Sequence, residues 1–128
     1  MIAEYRLKLI LIRGLPGSGK STRAKSLDAF HVEADMYFVN SDGDYCFDPE
    51  LLPKAHEWCQ FRAEDALKQG RDVVVSNTFV KRWEMKAYRN MARKHGAELV
   101  IEVCREQYGN IHGVPESVVE RMKKDWQE

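Results

Sequence analysis

A glycine-rich segment close to the start of the chain has the residue types and the spacing of a phosphate-binding loop. Residues 14–21 read Gly-Leu-Pro-Gly-Ser-Gly-Lys-Ser and match the pattern G-x-x-x-x-G-K-[ST], the P-loop or Walker A motif. Glycines let the backbone turn tightly and bring its N–H groups against phosphate oxygens with no Cβ in the way. A helix that follows such a loop points its positive end at the same anion.

Two side chains at the end of the motif add a positive charge and a hydroxyl. Lys20 can reach the outer phosphates of a nucleotide as a point charge, and the Ser21 hydroxyl can ligate Mg²⁺. We therefore expect ATP and Mg²⁺ as cofactors, with Ser21 as a metal ligand. The residues expected to hold the nucleotide are Gly14, Leu15, Pro16, Gly17, Ser18, Gly19, Lys20, Ser21 and Thr22.

The sequence on either side of the motif has the order that a working P-loop requires. Residues 7–12 form a short apolar stretch rich in strand formers, and residues 21–27 contain no helix breaker. A strand, a glycine-rich loop and a helix in this order favour a phosphate site over a glycine-rich turn that binds nothing.

Length and charge limit what else the chain can be. Its 128 residues, 44% of them hydrophobic, suit one nucleotide-binding domain over residues 1–128 and leave no room for a second substrate domain. The formal net charge is zero, whereas proteins that grip long stretches of nucleic acid usually carry a large basic excess. Any contact with nucleic acid should therefore be local or brief.

Cysteine usage and the first residues indicate the compartment. The three cysteines are widely spaced and odd in number, which predicts free thiols in a reducing cytosol. Glu4, Arg6 and Lys8 interrupt the first apolar stretch, so it resembles neither a signal peptide nor a membrane span. We expect a soluble, cytoplasmic protein that makes no membrane contact.

Hydrophobic patterning and turn signals predict alternating strands and helices. The predicted strands cover residues 6–13, 30–33, 72–76 and 98–103, and the predicted helices cover residues 20–29, 49–69, 81–94 and 115–126. The Asp42-Gly43 step between aromatic flanks predicts a hairpin-like loop. Leu52, Ala55, Cys59, Ala63 and Ala66 are predicted to form the buried face of the second helix. The alternation predicts a three-layer α/β P-loop fold, with a parallel sheet of four to five strands covered by helices on both faces.

The predicted topology brings distant residues to one edge of the sheet, because ligands bind at the carboxyl ends of parallel strands. Asp35 follows the second strand, residues 76–78 follow the third, and residues 104–106 follow the fourth. A phosphate loop, one acid, small polar groups and one arginine suit phosphoryl transfer, where positioning and charge neutralisation supply most of the catalysis.

Several of these segments together resemble a known family. They are the P-loop, Glu33-Ala34-Asp35, Asn77-Thr78 and the segment Asn110-Ile111-His112-Gly113-Val114-Pro115. The set resembles the polynucleotide-kinase-like P-loop kinases, which comprise phage-type 5′-polynucleotide kinases and a broader group of small AAA-family ATP-binding domains or predicted kinases. Residues 48–58 and 83–86 are closer still to the broader group, and the resemblance covers about residues 7–125.

The resemblance implies a role for individual residues. Asp35 matches the general base that takes the proton from the acceptor hydroxyl. Lys20 and Ser21 match the groups that hold phosphate and magnesium, while Asn77 and Thr78 match polar residues that line the substrate crevice.

Two departures from the family concern positive charge. Phe38 stands where the phage-type enzymes have an arginine, and Tyr108-Gly109 replaces the usual basic residues of the lid. Arg105 is the single arginine in the shortened lid, residues 104–112, and is the remaining candidate for a catalytic cation.

A basic stripe, two histidines and a tryptophan each allow a structural interpretation as well as a functional one. Arg82, Lys86, Arg89 and Arg93 form a stripe opposite Trp83, Ala87, Tyr88 and Met91. The stripe could track nucleic-acid phosphates, but zero net charge favours an ordinary solvated face. His56 and Trp58 could contact an acceptor; a surface histidine and a half-buried packing tryptophan are favoured. His112 could cap its loop or meet the adenine edge.

These observations lead to one function and one alternative of another class. The retained acid Asp35 favours an ATP-dependent kinase that transfers the γ-phosphoryl group to a hydroxyl. By resemblance, a nucleic-acid or nucleotide 5′-hydroxyl is the first candidate acceptor, and a small metabolite is close behind. The missing arginines favour a nucleotide-binding module or slow ATPase that acts through its bound state.

Overall fold

The computed structural model describes residues 6–108 and 113–128, which form a parallel sheet with helices around it. The strands are β1 (Lys8–Arg13), β2 (Phe30–Val32), β3 (Val73–Ser76) and β4 (Glu98–Val103), in the spatial order β2-β3-β1-β4. The helices are α1 (Lys20–Lys25), α2 (Leu52–Lys68), α3 (Lys86–Lys94) and α4 (Glu116–Asp125). Three short 3₁₀ helices cover Ala34–Phe38, Pro49–Leu51 and Arg82–Met85. The predicted α/β fold and parallel sheet are confirmed.

The two inner strands are those with the most continuous apolar sequence. All four residues of β3 are buried, and β1 pairs with it from Leu9↔Val73 to Ile12↔Ser76. On its other side β1 pairs with β4, whose residues are all partly exposed as expected for an edge strand. The register therefore places the P-loop at the centre of the carboxyl edge.

The sheet divides the apolar residues into two cores, because successive side chains of a strand point to opposite faces. On one face Leu9, Leu11, Val73 and Val75 pack against α2 and α3. On the other face Ile12 and Val74 pack against Ala24 of α1. The three-layer arrangement follows from this alternation.

The second helix ends close to where the sequence signals predict, whereas at its predicted start, Pro49, the chain forms a 3₁₀ helix over Pro49–Leu51 and α2 begins at Leu52. The Asp48 carboxylate accepts a hydrogen bond of 3.0 Å from the Glu50 N–H, and Gly70 after the helix has a φ of +77°. Four of the five residues predicted to be buried are buried, whereas Leu52 is 38% exposed because it begins the helix beyond the edge of the core. Leu67, in the last turn, is buried instead.

Two other expectations need correction. Helix α1 ends at Lys25 rather than at residue 29, since the Ser26 hydroxyl bonds back to the Arg23 carbonyl and the chain turns toward β2. Trp83 is 71% exposed and does not share the buried face of Tyr88 and Met91. It lies in a 3₁₀ helix, whose tighter turn rotates it away from the face that α-helical spacing predicts.

Beyond the sheet, Arg13 connects the ends of three segments. Its guanidinium donates to the Phe79 carbonyl at 2.8 and 3.1 Å, to the Val80 carbonyl at 3.4 Å and to the Gln127 carbonyl. The same group lies 4.4 Å from the ring centroid of Trp126. Phe79 has a φ of +44°, a strained conformation for a residue with a bulky side chain. The Arg13 contacts hold this strained exit from β3 against the end of the chain.

We predict that Arg13→Leu lowers the free energy of unfolding by about 3 kcal/mol, because it leaves buried carbonyls without the charged donor that pairs with them. Urea denaturation measures the change. Arg89→Leu, on an exposed face, is the control and should change stability by less than about 0.5 kcal/mol. Equal stabilities for the two variants would contradict the anchoring role of Arg13.

Candidate active site

The loop between β1 and α1 is shaped so that its backbone can approach a ligand. Gly19 has a φ of +89°, and a Cβ there would lie 2.9 Å from a ring carbon of Tyr108. A Cβ on Gly14 would collide with the Ser18 hydroxyl and lie 2.8 Å from the Cys104 carbonyl oxygen. No side chain fits at either position, so the loop requires glycine at both.

The first turn of α1 leaves donors available for an anion. The backbone N–H groups of Lys20, Ser21 and Thr22 have no acceptor among the described residues, and the first helical bond is from Arg23 N–H to the Gly19 carbonyl. The Ser18 side chain is turned inward and buried. These free donors, with the bare glycine backbone before them, fit the phosphates of a nucleotide.

Lys20 reaches back over the loop toward the place where phosphates would lie. Its Nζ donates to the Leu15 carbonyl at 3.3 Å. Burial lowers the pKa of Lys20, while the charges of Glu33 and Asp35 act in the opposite direction. The lysine and both acids therefore share one electrostatic environment at the carboxyl edge of the sheet.

Glu33, the first residue after β2, is a site residue to which the sequence analysis gave no role of its own. Its Oε2 accepts hydrogen bonds from the Ser21 hydroxyl at 2.7 Å and from the Ser76 hydroxyl at 2.9 Å. His31 Nε2 lies 2.7 Å from the Ser76 hydroxyl, and burial lowers the pKa of His31. The signal in the sequence was an acid two residues before Asp35, at the same strand end.

Asp35 lies in the 3₁₀ helix that follows β2, beside the hairpin-like loop. The Tyr45 hydroxyl donates to its Oδ1 at 3.3 Å. Burial, followed by the nearby Asp35 charge, raises the pKa of Tyr45 to about 12. The loop is closed by an antiparallel bridge between Val39 and Tyr45, as the Asp-Gly step predicts. Phe38 is buried in an aromatic cluster with Tyr45 and Phe47, so an apolar ring fills the position of the family's arginine.

Asn77 and Thr78, after β3, contact the other strand ends. The Asn77 Oδ1 accepts from the Ala34 N–H at 2.9 Å, and its Nδ2 lies 3.7 Å from the Cys59 sulfur. The Thr78 carbonyl accepts from the Gly14 N–H at 3.3 Å. Asn77 is buried, so its contacts hold the start of the segment that carries Asp35, and Thr78 holds the start of the P-loop.

The segment after β4 crosses the P-loop. The Tyr108 N–H donates to the Gly17 carbonyl at 2.8 Å. Arg105 is exposed and donates to the Glu128 carboxylate at 2.7 Å, so in this conformation it pairs with the C-terminal residue.

A cleft of about 560 Å³ lies between the P-loop and α4, lined by Leu15, Val103, Val119 and Trp126 among others. Residues 109–112, with the Asn110 to His112 part of the family segment, lie outside the described residues.

The remaining candidate residues lie apart from this network. Trp58 is half-buried with its ring centroid 5.9 Å from that of Tyr37, which confirms a packing role, and His56 is partly exposed. All four members of the basic stripe are exposed. Within residues 6–108 and 113–128, no cluster of three histidine, cysteine or acidic residues could bind a metal by itself. None of the helices described is both long and apolar enough to traverse a bilayer.

A parallel sheet, a P-loop after its inner strand β1 and an acid after β2, two strands away at the same edge, are the features of a P-loop kinase-like domain. The chain belongs to the family described as AAA domain, which matches residues 9–128. The family resemblance found in the sequence is thereby confirmed.

Known proteins are similar over most of this chain. Human NEDD4-binding protein 2 is 35% identical over 140 residues, an alignment that covers 94% of this chain and 8% of that protein. A chain of the Pnkp1/Rnl/Hen1 complex has a TM-score of 0.65 at 19% identity, over 94% of this chain and 40% of that chain. In a structure of the Pnkp1/Rnl/Hen1 RNA repair complex the TM-score is 0.56 at 22% identity, over 95% of this chain and 38% of that chain. The APS kinase of Mycobacterium tuberculosis has a TM-score of 0.60 at 18% identity, over 93% and 94% of the two chains. The structural likenesses show a kinase fold.

We predict that Lys20→Ala weakens ATP binding about 100-fold while leaving the fold intact, because the side chain faces the ligand rather than the core. Titration calorimetry measures the affinity, and circular dichroism checks the fold. Lys25→Ala, an exposed lysine of the same helix, is the control and should bind ATP as the parent does. Unchanged affinity in a folded Lys20→Ala variant would contradict the role of the loop.

Proposed function

We propose that the protein is an ATP-dependent phosphotransferase that moves the γ-phosphoryl group to a hydroxyl, with Asp35 as general base. The observation that carries the proposal is that Asp35, after β2, and Lys20, at the end of the P-loop after β1, lie at the same carboxyl edge of the parallel sheet. The Asp35 charge opposes the lowering of the Lys20 pKa, as expected for groups that face one reaction space.

In the proposed mechanism the chain contributes positioning, charge and a base. The loop N–H groups and Lys20 would hold the phosphates of ATP, and the Ser21 hydroxyl would hold Mg²⁺. When bound, Mg²⁺ supplies positive charge to the phosphate oxygens. Asp35 takes the proton of the acceptor hydroxyl, whose oxygen attacks the γ-phosphorus in line with the departing ADP oxygen. Asn77 keeps Asp35 in place through the Ala34 N–H.

A nucleic-acid or nucleotide 5′-hydroxyl is the first candidate acceptor. Its support is the sequence resemblance to polynucleotide kinases, together with the shared fold of a chain in an RNA repair complex. Because the net charge is zero, the contact would be confined to the end of the strand near Asp35.

A small, uncharged hydroxyl compound is the second candidate, and the charge around Asp35 favours it. Residues 26–53 contain no lysine or arginine. After β2, on the side of Asp35, the same stretch carries six acidic residues, namely Glu33, Asp35, Asp42, Asp44, Asp48 and Glu50. A polyphosphate chain would be repelled there, whereas a neutral acceptor would not. Transfer from γ-labelled ATP to oligonucleotides, nucleosides and small hydroxyl compounds, compared in one assay, decides between the two candidates.

A nucleotide-binding module or slow ATPase is the alternative from another class. Its support is that Arg105, the lone arginine of the short lid, pairs with Glu128. Measuring the free phosphate released from ATP together with the phosphate transferred to an acceptor distinguishes this alternative from a kinase. A binding module or slow ATPase would transfer no phosphate to any acceptor and would release free phosphate slowly or not at all. In either case we propose that residues 1–128 act as one domain in a reducing compartment, which agrees with three unpaired cysteines.

We predict that Asp35→Asn lowers the rate of transfer by about two to four orders of magnitude and leaves ATP affinity unchanged, since a general base acts only on the acceptor proton. Single-turnover transfer of labelled phosphate measures the rate. The exposed loop acid Asp42 supplies the control, and Asp42→Asn should react as the parent does. Equal rates for the parent and Asp35→Asn would remove Asp35 from catalysis.

We predict that Arg105→Ala lowers the rate of transfer about 1,000-fold with little change in ATP affinity, because its contact would form only as charge develops on the γ-phosphate. Glu128→Gln removes the partner that holds Arg105 and should not lower the rate. A steady-state comparison of both variants with the parent decides the matter. An Arg105→Ala rate within about twofold of the parent would show that the cation comes from elsewhere.

A further inference from the structure

The Glu33 carboxylate is held in place by two hydroxyl donors, and among the described residues His31 Nε2 lies 4.0 Å from its Oε2. Its side chain is only 15% exposed, and one of its oxygens, Oε2, accepts both the Ser21 and the Ser76 hydroxyl protons. Removing a carboxylate from water costs free energy, which hydrogen bonds and a bound cation would both offset.

Strand β3, which pairs with the P-loop strand β1, is not followed by an acidic residue that could hold Mg²⁺. In P-loop enzymes Mg²⁺ is held by the loop serine or threonine together with an aspartate of another strand. Here β3, the neighbour of β1, ends at Ser76, and residues 77–80 read Asn-Thr-Phe-Val. Glu33 extends from the end of β2, one strand further out, and its carboxylate reaches both Ser76 and Ser21.

We propose that Glu33 is the carboxylate of the Mg²⁺ site, reaching from β2 to take the place of the missing acid on β3. The inference rests on the proposed binding of ATP. Ser21 and Glu33 are hard oxygen donors of the type that Mg²⁺ prefers. Mg²⁺ needs only one or two carboxylates when phosphates and waters complete its octahedron.

A hydrogen-bonded chain orients the proposed ligand. The Ser76 hydroxyl gives its proton to Glu33, so its oxygen accepts from the Nε2–H of His31 at 2.7 Å. The chain from His31 through Ser76 to Glu33 fixes one carboxylate oxygen toward Ser21. Ser76 is thus a positioning residue, comparable to the outer groups that orient metal ligands in other proteins.

The test compares ATP affinity in Mg²⁺ with ATP affinity in EDTA, by calorimetry on the full chain. The ratio of the two affinities is the metal-dependent gain. We expect Glu33→Gln to reduce this gain at least 10-fold, the scale found when groups that orient a metal ligand are lost. In EDTA the same variant should bind ATP as tightly as the parent or more tightly, because a negative charge near the phosphates has been removed.

Further variants separate a metal role from a structural one. Adding Ser76→Asp to Glu33→Gln puts a carboxylate on the neighbouring strand and should restore part of the gain. Glu33→Asp keeps the charge with a shorter reach and should lose part of the gain even if Glu33→Gln does not fold. Asp42→Asn is the matched control and should keep the whole gain.

Each outcome bears on one of the two proposals. A full metal-dependent gain in folded Glu33→Gln, or in Glu33→Asp where Glu33→Gln does not fold, would overturn the assignment of Glu33. Loss of ATP affinity in EDTA to the same extent as in Mg²⁺ would also overturn it, since the effect would then be structural. A parent chain that binds no ATP under either condition would instead contradict the proposed function, whatever Glu33 does.

Discussion

The buried guanidinium of Arg13 is the interaction on which the geometry of the site depends. Arg13 ends β1 directly before the P-loop, and its donors reach carbonyls of Phe79, Val80 and Gln127. Burial lowers the pKa of Arg13, and the carbonyls with the Trp126 ring offset the cost of removing the charge from water. One side chain therefore fixes the P-loop, the exit from β3 and the end of the chain relative to one another.

Polar contacts between the strand ends then fix the positions of the candidate site residues at the carboxyl edge of the sheet. Asn77 binds the backbone at Ala34, and Glu33 binds the hydroxyls of Ser76 and Ser21. These contacts join segments that are more than ten residues apart in the sequence. Each is at least partly buried, so breaking one would leave a polar group unpaired in a poorly solvated place. This free-energy cost keeps the Glu33 carboxylate in a fixed position relative to the hydroxyls of Ser21 and Ser76.

Local signals in the sequence were sufficient for the fold but not for the side-chain network. The strands, the P-loop and the cap at Asp48 follow from patterns a few residues long, and the structure agrees with them. The contacts of Arg13 lie 66 to 114 residues away in sequence, and the pairing of Arg105 with Glu128 spans 23 residues. Such contacts depend on side-chain directions that only the packed sheet determines. The role of Glu33 escaped sequence reasoning for the same reason, although the residue itself stood in a recognised motif.

The distribution of charge around the site limits how transfer can be catalysed. Acidic residues follow β2, where the proposed base Asp35 lies. Positive charge on the donor side comes from Lys20 and the free N–H groups of the loop, with Arg105 held by Glu128. A bound cation would therefore have more to neutralise here than in an enzyme with an arginine-rich lid. Under our proposal the Glu33 carboxylate would hold that cation beside the Ser21 hydroxyl, with which it forms a hydrogen bond of 2.7 Å.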